Sequence, residues 1–288
     1  MSLVLSIDVG GTKTLAGIVD RSGAVLAEWT QATRVEGDDV ERVAAFVGDL
    51  ARQHAPLAIG AGFPEYVDSG TLTSTEVLRW TRQPGEAISA ALEQAGIAVP
   101  VIIDSDVRLG ALGEARYGAG QSAQSFLYVS LGTGLSSTFV MAGQPWPGAR
   151  GEAIALGEFP APNGNLEQFA SGTAIAARYA RLAGVETTGP AIGDAARHGD
   201  HHAVEVLRSA GDALGEALAQ AVGLLDPQLV ILGGGLGTAG TTLTERARER
   251  YQHRTQHRRG AASIVSAQCG HRSGLLGGAA AAWQALAH

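Results

Sequence analysis

The sequence predicts an α/β protein built on an internally repeated plan. Two observations predict it. Apolar runs of strand length alternate with stretches of helical period along the chain, the pattern of helices packed on mostly parallel sheets. Two of these runs, residues 3–7 and 126–131, also end in a short turn of glycine and threonine and return as a second strand. A strand–turn–strand unit that recurs far along one chain marks an internal duplication.

The elements follow in order. Residues 3–7 are apolar around Ser6 and run into Asp8. Residues 14–20 and 24–28 read as second and third strands, joined at Arg21, Ser22 and Gly23. Val40, Val43, Val47 and Leu50 recur at helical spacing over 38–54, with Asp38 or Asp39 as N-cap. Residues 57–62 form a strand ending in Phe63, Pro64 and Glu65, and 86–95 a short helix. Residues 99–103 form a strand that runs into Asp104, Ser105 and Asp106, and 107–117 read as a helix.

The second half begins with strands at 126–131 and 136–141, then a loop-rich stretch to 165 and a helix over 166–183. Asp200 caps a long helix with Val204, Leu207, Leu214, Leu218, Val222 and Leu225 on one face, and Asp226-Pro227 breaks it. A strand at 229–232 opens into Gly233, Gly234 and Gly235. A helix over 241–256, a strand over 263–267 and an Ala-rich helix over 274–287 complete the pattern.

Composition narrows the function. The 288 residues, 45% hydrophobic, supply cores for one large or two modest domains, and 40 glycines imply many turns and close backbone approaches. A net charge of −7 argues against a nucleic-acid surface and fits a cytoplasmic protein. One cysteine, Cys269, excludes an internal disulfide and any multi-cysteine metal site. No signal-peptide pattern opens the sequence, and the apolar stretch 274–287 is too short to span a bilayer, so no membrane association is expected.

The two turns carry the chemistry. Gly10, Gly11, Thr12 and Lys13 follow a buried strand, and Gly132, Thr133 and Gly134 follow another. Glycines open backbone conformations closed to other residues and let N–H groups approach an anion. Hydroxyls and Lys13 add donors and a positive charge, which suits nucleotide phosphates. Asp8 could orient Mg²⁺ through water, since that ion prefers a carboxylate with water ligands. Gly234 and Gly235, at a strand end, would let the backbone approach the nucleotide. Each turn can also be a hairpin turn and nothing more.

In order and spacing these residues resemble the ROK family of sugar kinases, on the two-lobed actin-like ATPase fold, a duplicated ribonuclease H-like α/β fold. The resemblance rests on the stretch from Asp8 to Thr14, on Asp106 ahead of Ala111, Leu112, Gly113 and Glu114, and on Leu131 to Gly134. It continues in Leu166, Glu167, Ser171 and Gly172, in Asp226-Pro227 and in Gly233 to Gly235. It implies two lobes around a cleft, with ATP between them. Residues 1–106 would form the first lobe with phosphate loop 1, completed by the C-terminal helix 274–288. Residues 107–273 would form the second, with phosphate loop 2 and the nucleotide-binding glycines. It further implies transfer of the γ-phosphoryl of ATP to a substrate hydroxyl, with Mg²⁺ as cofactor, and a homodimer. Asp106 matches the family's catalytic base. Its alternative role is an N-cap, for which Asp104 and Ser105 compete.

The family's regulators carry a DNA-binding domain ahead of the first loop. Only seven residues precede Asp8, so none is expected here. The basic residues Arg246, Arg248, Arg250, Arg254, Arg258 and Arg259 read as a solvated helix face interleaved with Glu245 and Glu249, not as a nucleic-acid surface.

The acceptor side departs from the family pattern. Its Asn-Asp-Ala-Asn motif is here Ser105, Asp106, Val107 and Arg108, and its Asn-Leu sugar contact is Glu76-Val77. Its Gly-Glu and Gly-His pairs are Ile154-Ala155 and Gly157-Glu158. Residues 160–165 replace the zinc-binding cysteines, with Asn165 where a cysteine is usual, so no structural zinc is expected. Glu167 matches a carboxylate that contacts substrate; it could also be a first-turn helix charge. His198, His201 and His202 around Asp200 read as a solvated helix start. The expected substrate-binding residues are Glu76, Ser105, Asp106, Glu158 and Glu167, with Arg108 in the altered pocket. The expected acceptor is a sugar or sugar-like polyol other than ordinary glucose: a C7-cyclitol, or a modified or amino sugar of a natural-product pathway. An ordinary hexose kinase and a non-catalytic sugar sensor are the alternatives, and polyphosphate is an alternative donor.

Overall fold

A computed structural model of the chain describes residues 2–35, 37 and 39–287. The chain divides into two compact units. The first comprises Met1–Gln121, Gly143–Ala153 and Arg272–His288, and the second Ser122–Ala142 and Ile154–His271.

The first unit holds a five-stranded sheet. Strands β1 (Val4–Val9), β2 (Lys13–Val19) and β3 (Val25–Ala32) pair antiparallel, and β4 (Ile59–Phe63) and β5 (Val101–Ser105) add in parallel beyond β1, giving the order β3-β2-β1-β4-β5. The central strands β1 and β4 are covered on both faces, so their sequences are near-continuous apolar runs. Strand β3 lies at the edge and alternates, turning Ala27 and Trp29 toward the core. Helix α1 (Asp39–His54) buries Val40, Val43, Val47 and Leu50. Asp38 lies outside the described residues. Asp39 is the first residue of α1, and its buried carboxylate accepts the Arg34 N–H at 2.8 Å and pairs with Arg42.

Helices α2 (Pro84–Gln94) and α3 (Asp106–Tyr117) follow β4 and β5. The C-terminal helix, Ser273–Ala285, packs on α3 backbone to backbone. A Cβ on Gly277 would stand 1.6 Å from the Leu109 carbonyl oxygen, so only glycine fits there. Ser273 Oγ donates to Glu114 Oε1 at 2.9 Å, and the other Glu114 oxygen accepts the Ala119 N–H at 2.8 Å. Both residues are buried. Glu114 thus ties the end of α3 to the start of the C-terminal helix.

The second unit repeats the plan. Strands β6 (Ser125–Leu131) and β7 (Leu135–Met141) form an antiparallel hairpin, and β8 (Leu229–Gly233) and β9 (Ser263–Ser266) add in parallel beyond β6, in the order β7-β6-β8-β9. In both units a hairpin carries the glycine turn and two parallel strands extend the sheet on its inner side.

The helices of this unit are α4 (Leu166–Ala170), α5 (Gly172–Ala183), α6 (Gly189–Arg197), α7 (His201–Leu225), α8 (Gly234–Thr238) and α9 (Thr242–Thr255). The sequence predicts one helix over 166–183; the structure has two. Ser171 leaves the helical conformation and its Oγ accepts the Ala174 N–H at 3.2 Å, capping α5. Asn165 and Gln168 form a capping box at α4. Helix α6 was not predicted, because Gly189, Pro190 and Gly193 mask its period.

Asp200 caps α7 through the N–H groups of His202 and Ala203, at 2.9 and 3.0 Å, and accepts the Tyr179 hydroxyl at 2.7 Å. No three His, Cys, Asp or Glu side chains among the described residues form a metal-holding group. The basic stretch on α9 meets acids of α7: Arg246 pairs with Asp212 at 2.9 Å, and Arg254 and Arg250 with Glu216. Among the described residues no helix is long and apolar enough to cross a membrane.

Candidate active site

The first glycine turn closes the β1–β2 hairpin between Val9 and Thr14. Gly10 donates to the Lys13 carbonyl at 2.9 Å, and the Thr12 carbonyl accepts the Thr33 N–H at 3.0 Å. The N–H groups of Gly11 and Thr12 donate to nothing among the described residues. Two carbonyls of the turn accept from the protein while the N–H groups of Gly11 and Thr12 stay open, which is the polarity an anion requires. Thr12 and Lys13 are exposed beside it. Thr14 is not part of this set: it is buried and its hydroxyl bonds Thr33 Oγ1 at 2.8 Å.

The second turn has the same polarity by a different route. It closes β6–β7 between Leu131 and Leu135, with Gly132 donating to the Gly134 carbonyl at 3.0 Å. Helix α5 begins against it. Gly172 N–H donates to the Gly132 carbonyl at 2.8 Å, and Thr173 donates to the Thr133 carbonyl through both N–H and Oγ1 at 3.1 Å. The N–H groups of Thr133 and Gly134 have no acceptor among the described residues, and both residues are exposed.

The reason for glycine in these turns differs from the sequence-based one. Gly10, Gly11, Gly132 and Gly134 all lie outside the left-handed φ region. Space is the requirement where there is one: a Cβ on Gly134 would stand 2.7 Å from Glu167 Oε1. Left-handed geometry occurs instead at Gly234, with φ of +74°, where a Cβ would meet the Leu131 carbonyl oxygen at 2.4 Å. Gly234 therefore lets the β8–α8 turn lie directly against the strand that feeds the second loop. Gly235 beside it is exposed.

Asp8 and Asp106 stand at the ends of β1 and β5 in the first unit. Ser105 takes the N-cap role: its buried Oγ accepts the Arg108 N–H at 3.3 Å. That frees Asp106, the first residue of α3, from capping. Its Oδ1 accepts the Val107 N–H at 2.6 Å, and its other oxygen has no donor among the described residues. Desolvation pushes Asp106 up to about 8; the charges of Asp8 and Glu65 add to this, and the Val107 N–H opposes it. Burial likewise raises Asp8 to about 6 against the pull of Lys13. Asp8 has no hydrogen-bond donor among the described residues. Asp8, with no donor, and Asp106, with one oxygen left without a donor among the described residues, make a site where a divalent cation fits by charge, held by one carboxylate and water rather than by a cage.

The acceptor residues separate into two groups. Glu76, Glu158 and Glu167 have exposed side chains. Glu167 also accepts the Leu135 N–H at 3.0 Å, fixing the strand that leaves the second loop. Ser105, expected to bind substrate, is buried as the helix cap. Arg108, expected in the acceptor pocket, is buried and spent on protein groups. Its Nε donates to Asp104 Oδ1 at 2.6 Å, and its Nη1 and Nη2 donate to the carbonyls of Gly151 at 3.0 Å and Val67 at 2.5 Å. Glu65, given no role from sequence, is buried in the same unit and accepts four donors from residues 74–78. Its only sequence signal is an acidic residue just past a strand end.

Comparison with known proteins adds independent support. A family model described as the ROK family matches residues 4–285. A glucokinase of Streptomyces coelicolor is 29% identical over 312 residues, covering 97% of this chain and 97% of that protein. A kanosamine kinase of Amycolatopsis mediterranei is 30% identical over 250 residues, 80% of each chain. Among solved structures, a ROK family glucokinase from Streptomyces griseus in complex with glucose and AMPPNP matches with a TM-score of 0.82 and 30% identity. That match covers 98% of this chain and 100% of the other. The fold is the duplicated α/β fold of the actin-like ATPases.

Proposed function

The chain belongs to the ROK family, and from that premise we propose that it transfers the γ-phosphoryl of ATP to a hydroxyl of a sugar or sugar-like polyol. It is a sugar phosphotransferase, as relatives named glucokinase and kanosamine kinase are. The observation that carries the reading is Asp106: a carboxylate released from capping, with one oxygen unpartnered among the described residues and its pKa pushed up to about 8. A general base works best when its pKa lies near the operating pH.

In this reading Asp106 accepts the proton of the acceptor hydroxyl. The oxygen attacks the γ-phosphorus as the bond to the β–γ bridging oxygen breaks, and ADP leaves with that electron pair. The free N–H groups of Gly11, Thr12, Thr133 and Gly134, with Lys13, offset phosphate charge. Gly234 and Gly235 allow close approach to the nucleotide. Asp8 would hold Mg²⁺ through water, and the bound ion would neutralise charge on the β- and γ-phosphates. A homodimer in the cytoplasm belongs to the same proposal.

The acceptor is a C7-cyclitol or an amino or otherwise modified sugar. Ala155 and Glu158 stand where a glutamate and a histidine are usual, which removes two hexose contacts. Exposed Glu76, Glu158 and Glu167 offer carboxylates suited to hydroxyls or an ammonium group, and a relative named for an amino sugar is 30% identical. Ordinary hexose phosphorylation is the rival, favoured by the glucokinase relatives. ADP release measured over glucose, amino sugars and cyclitols separates them. Turnover highest with glucose would favour the rival; nucleotide binding without acceptor-stimulated release from any of them would favour a sensor.

A further inference from the structure

Glu65 is a buried acid with an unusual set of partners. It follows β4 by two residues and is 6% exposed. Its Oε1 accepts the N–H groups of Val77 and Leu78 at 2.7 and 2.6 Å. Its Oε2 accepts the Glu76 N–H at 2.9 Å and the Ser74 hydroxyl. Ser74 Oγ accepts the Tyr66 N–H at 2.9 Å in turn, so the network closes on the residue next to Glu65. Three consecutive backbone N–H groups converge on one carboxylate, the arrangement that holds a bound anion, made here with a side chain.

The segment so fixed has two working parts. Glu76 is exposed and is a proposed acceptor contact. Val77 leans on phosphate loop 1: a Cβ on Gly11 would stand 3.2 Å from Val77 Cγ1. Leu78 and Trp80 anchor the far end in the core, and Trp80 Nε1 donates to the Arg34 carbonyl at 3.0 Å. With a neutral side chain at 65, the 74–78 backbone would lose its shared anchor while both ends stayed fixed. The Glu65 charge also helps to raise the pKa of Asp106.

From this geometry we infer that Glu65 is a positioning residue for acceptor recognition, holding the 74–78 segment against phosphate loop 1 so that Glu76 meets the acceptor at a fixed distance from the transferred phosphoryl. The inference rests on the sugar-kinase reading of Asp106 and the two loops. A glutamine at 65 keeps the shape but cannot accept from all four donors, because its Nε2 is itself a donor. Charge-assisted bonds to a buried carboxylate are the strong ones, so the loss is not made up by water.

The test is steady-state kinetics of the full-length wild type, Glu65→Gln and Ser74→Ala, each with an acceptor on which wild type turns over, joined to hydrogen exchange of residues 74–78. In Glu65→Gln the acceptor KM rises about tenfold or more while the ATP KM moves less than about twofold, and the amides of Val77 and Leu78 lose protection. Ser74→Ala, which removes one donor and leaves the carboxylate, shifts the acceptor KM in the same direction by a smaller factor. Equal rises in both KM values, or lost protection with an unmoved acceptor KM, overturn the inference while wild-type turnover leaves the kinase reading standing. No turnover by wild type with any acceptor overturns that reading and the inference together.

Discussion

Gly274 lies against the carboxylate of Asp8: a Cβ at 274 would stand 2.5 Å from Asp8 Oδ2. Asp8 ends the central strand of the first sheet, and Gly274 is in the first turn of the C-terminal helix. The last helix therefore reaches back to the residue that precedes phosphate loop 1. Burial, to which this packing contributes, is what raises the Asp8 pKa.

Gly274→Ala tests that contact. An alanine would favour the helix by roughly 0.5–1 kcal/mol over glycine on propensity alone. Any loss must therefore come from displacing Asp8. The expected result is a rise of about tenfold in the KM for Mg²⁺-ATP, with the acceptor KM little changed. Titration of turnover against Mg²⁺ at fixed ATP checks it.

Arg108→Met tests the clamp beside the base. The substitution keeps much of the side-chain volume but leaves the carbonyls of Val67 and Gly151 without this donor and Asp104 with the Ser105 N–H alone. Asp104 is part-exposed, so the cost comes chiefly from the two carbonyls left without a donor, about 1–3 kcal/mol. The urea midpoint should fall accordingly. A loss under about 1 kcal/mol would mean that water replaces the guanidinium.

The sequence made the two hairpins readable because each joins an apolar strand to a turn of glycine, threonine or lysine. The inner parallel strands β4 and β8 were equally plain, being buried along nearly their whole length and so free of charged residues. Arg108 stands where the resemblance places an asparagine, which points it to substrate; the structure instead spends it on Asp104, Gly151 and Val67. Arg108 lies in the first turn of α3 and Asp104 near the end of β5, so the ion pair spans the strand–helix junction, which no single periodicity marks. Ser171 and Gly172 mark the helix break, but the helix-forming residues on either side of them conceal it. The role of Glu65 depends on burial and on a loop some ten residues away, neither of which local pattern encodes.

Asp106 also sets a pH dependence of stability in the metal-free, nucleotide-free protein. Its folded pKa, about 8, lies above the unfolded value of 3.8. Between those values the native state holds a proton that the unfolded chain has released. Stability contributed by this group therefore falls as pH rises from about 4 to about 8. Asp106→Asn removes that slope. Thermal melts from pH 5 to 8.5 should show the variant gaining on wild type as pH rises; parallel curves would contradict the raised pKa.

Gly234→Ala probes the nucleotide side. It would place a Cβ 2.4 Å from the Leu131 carbonyl oxygen at a φ of +74°. Strain at such a position is about 1–3 kcal/mol before the clash is counted. Weaker binding of a non-hydrolysable ATP analogue, measured by calorimetry, is the expected result.

The most direct test of the account is turnover of Asp106→Asn at saturating ATP and acceptor, beside its affinity for ATP. Loss of a general base lowers such a rate by about 10²–10⁴-fold. The account predicts a fall in that range with ATP affinity preserved, since no phosphate contact is removed. Full turnover by Asp106→Asn would contradict it.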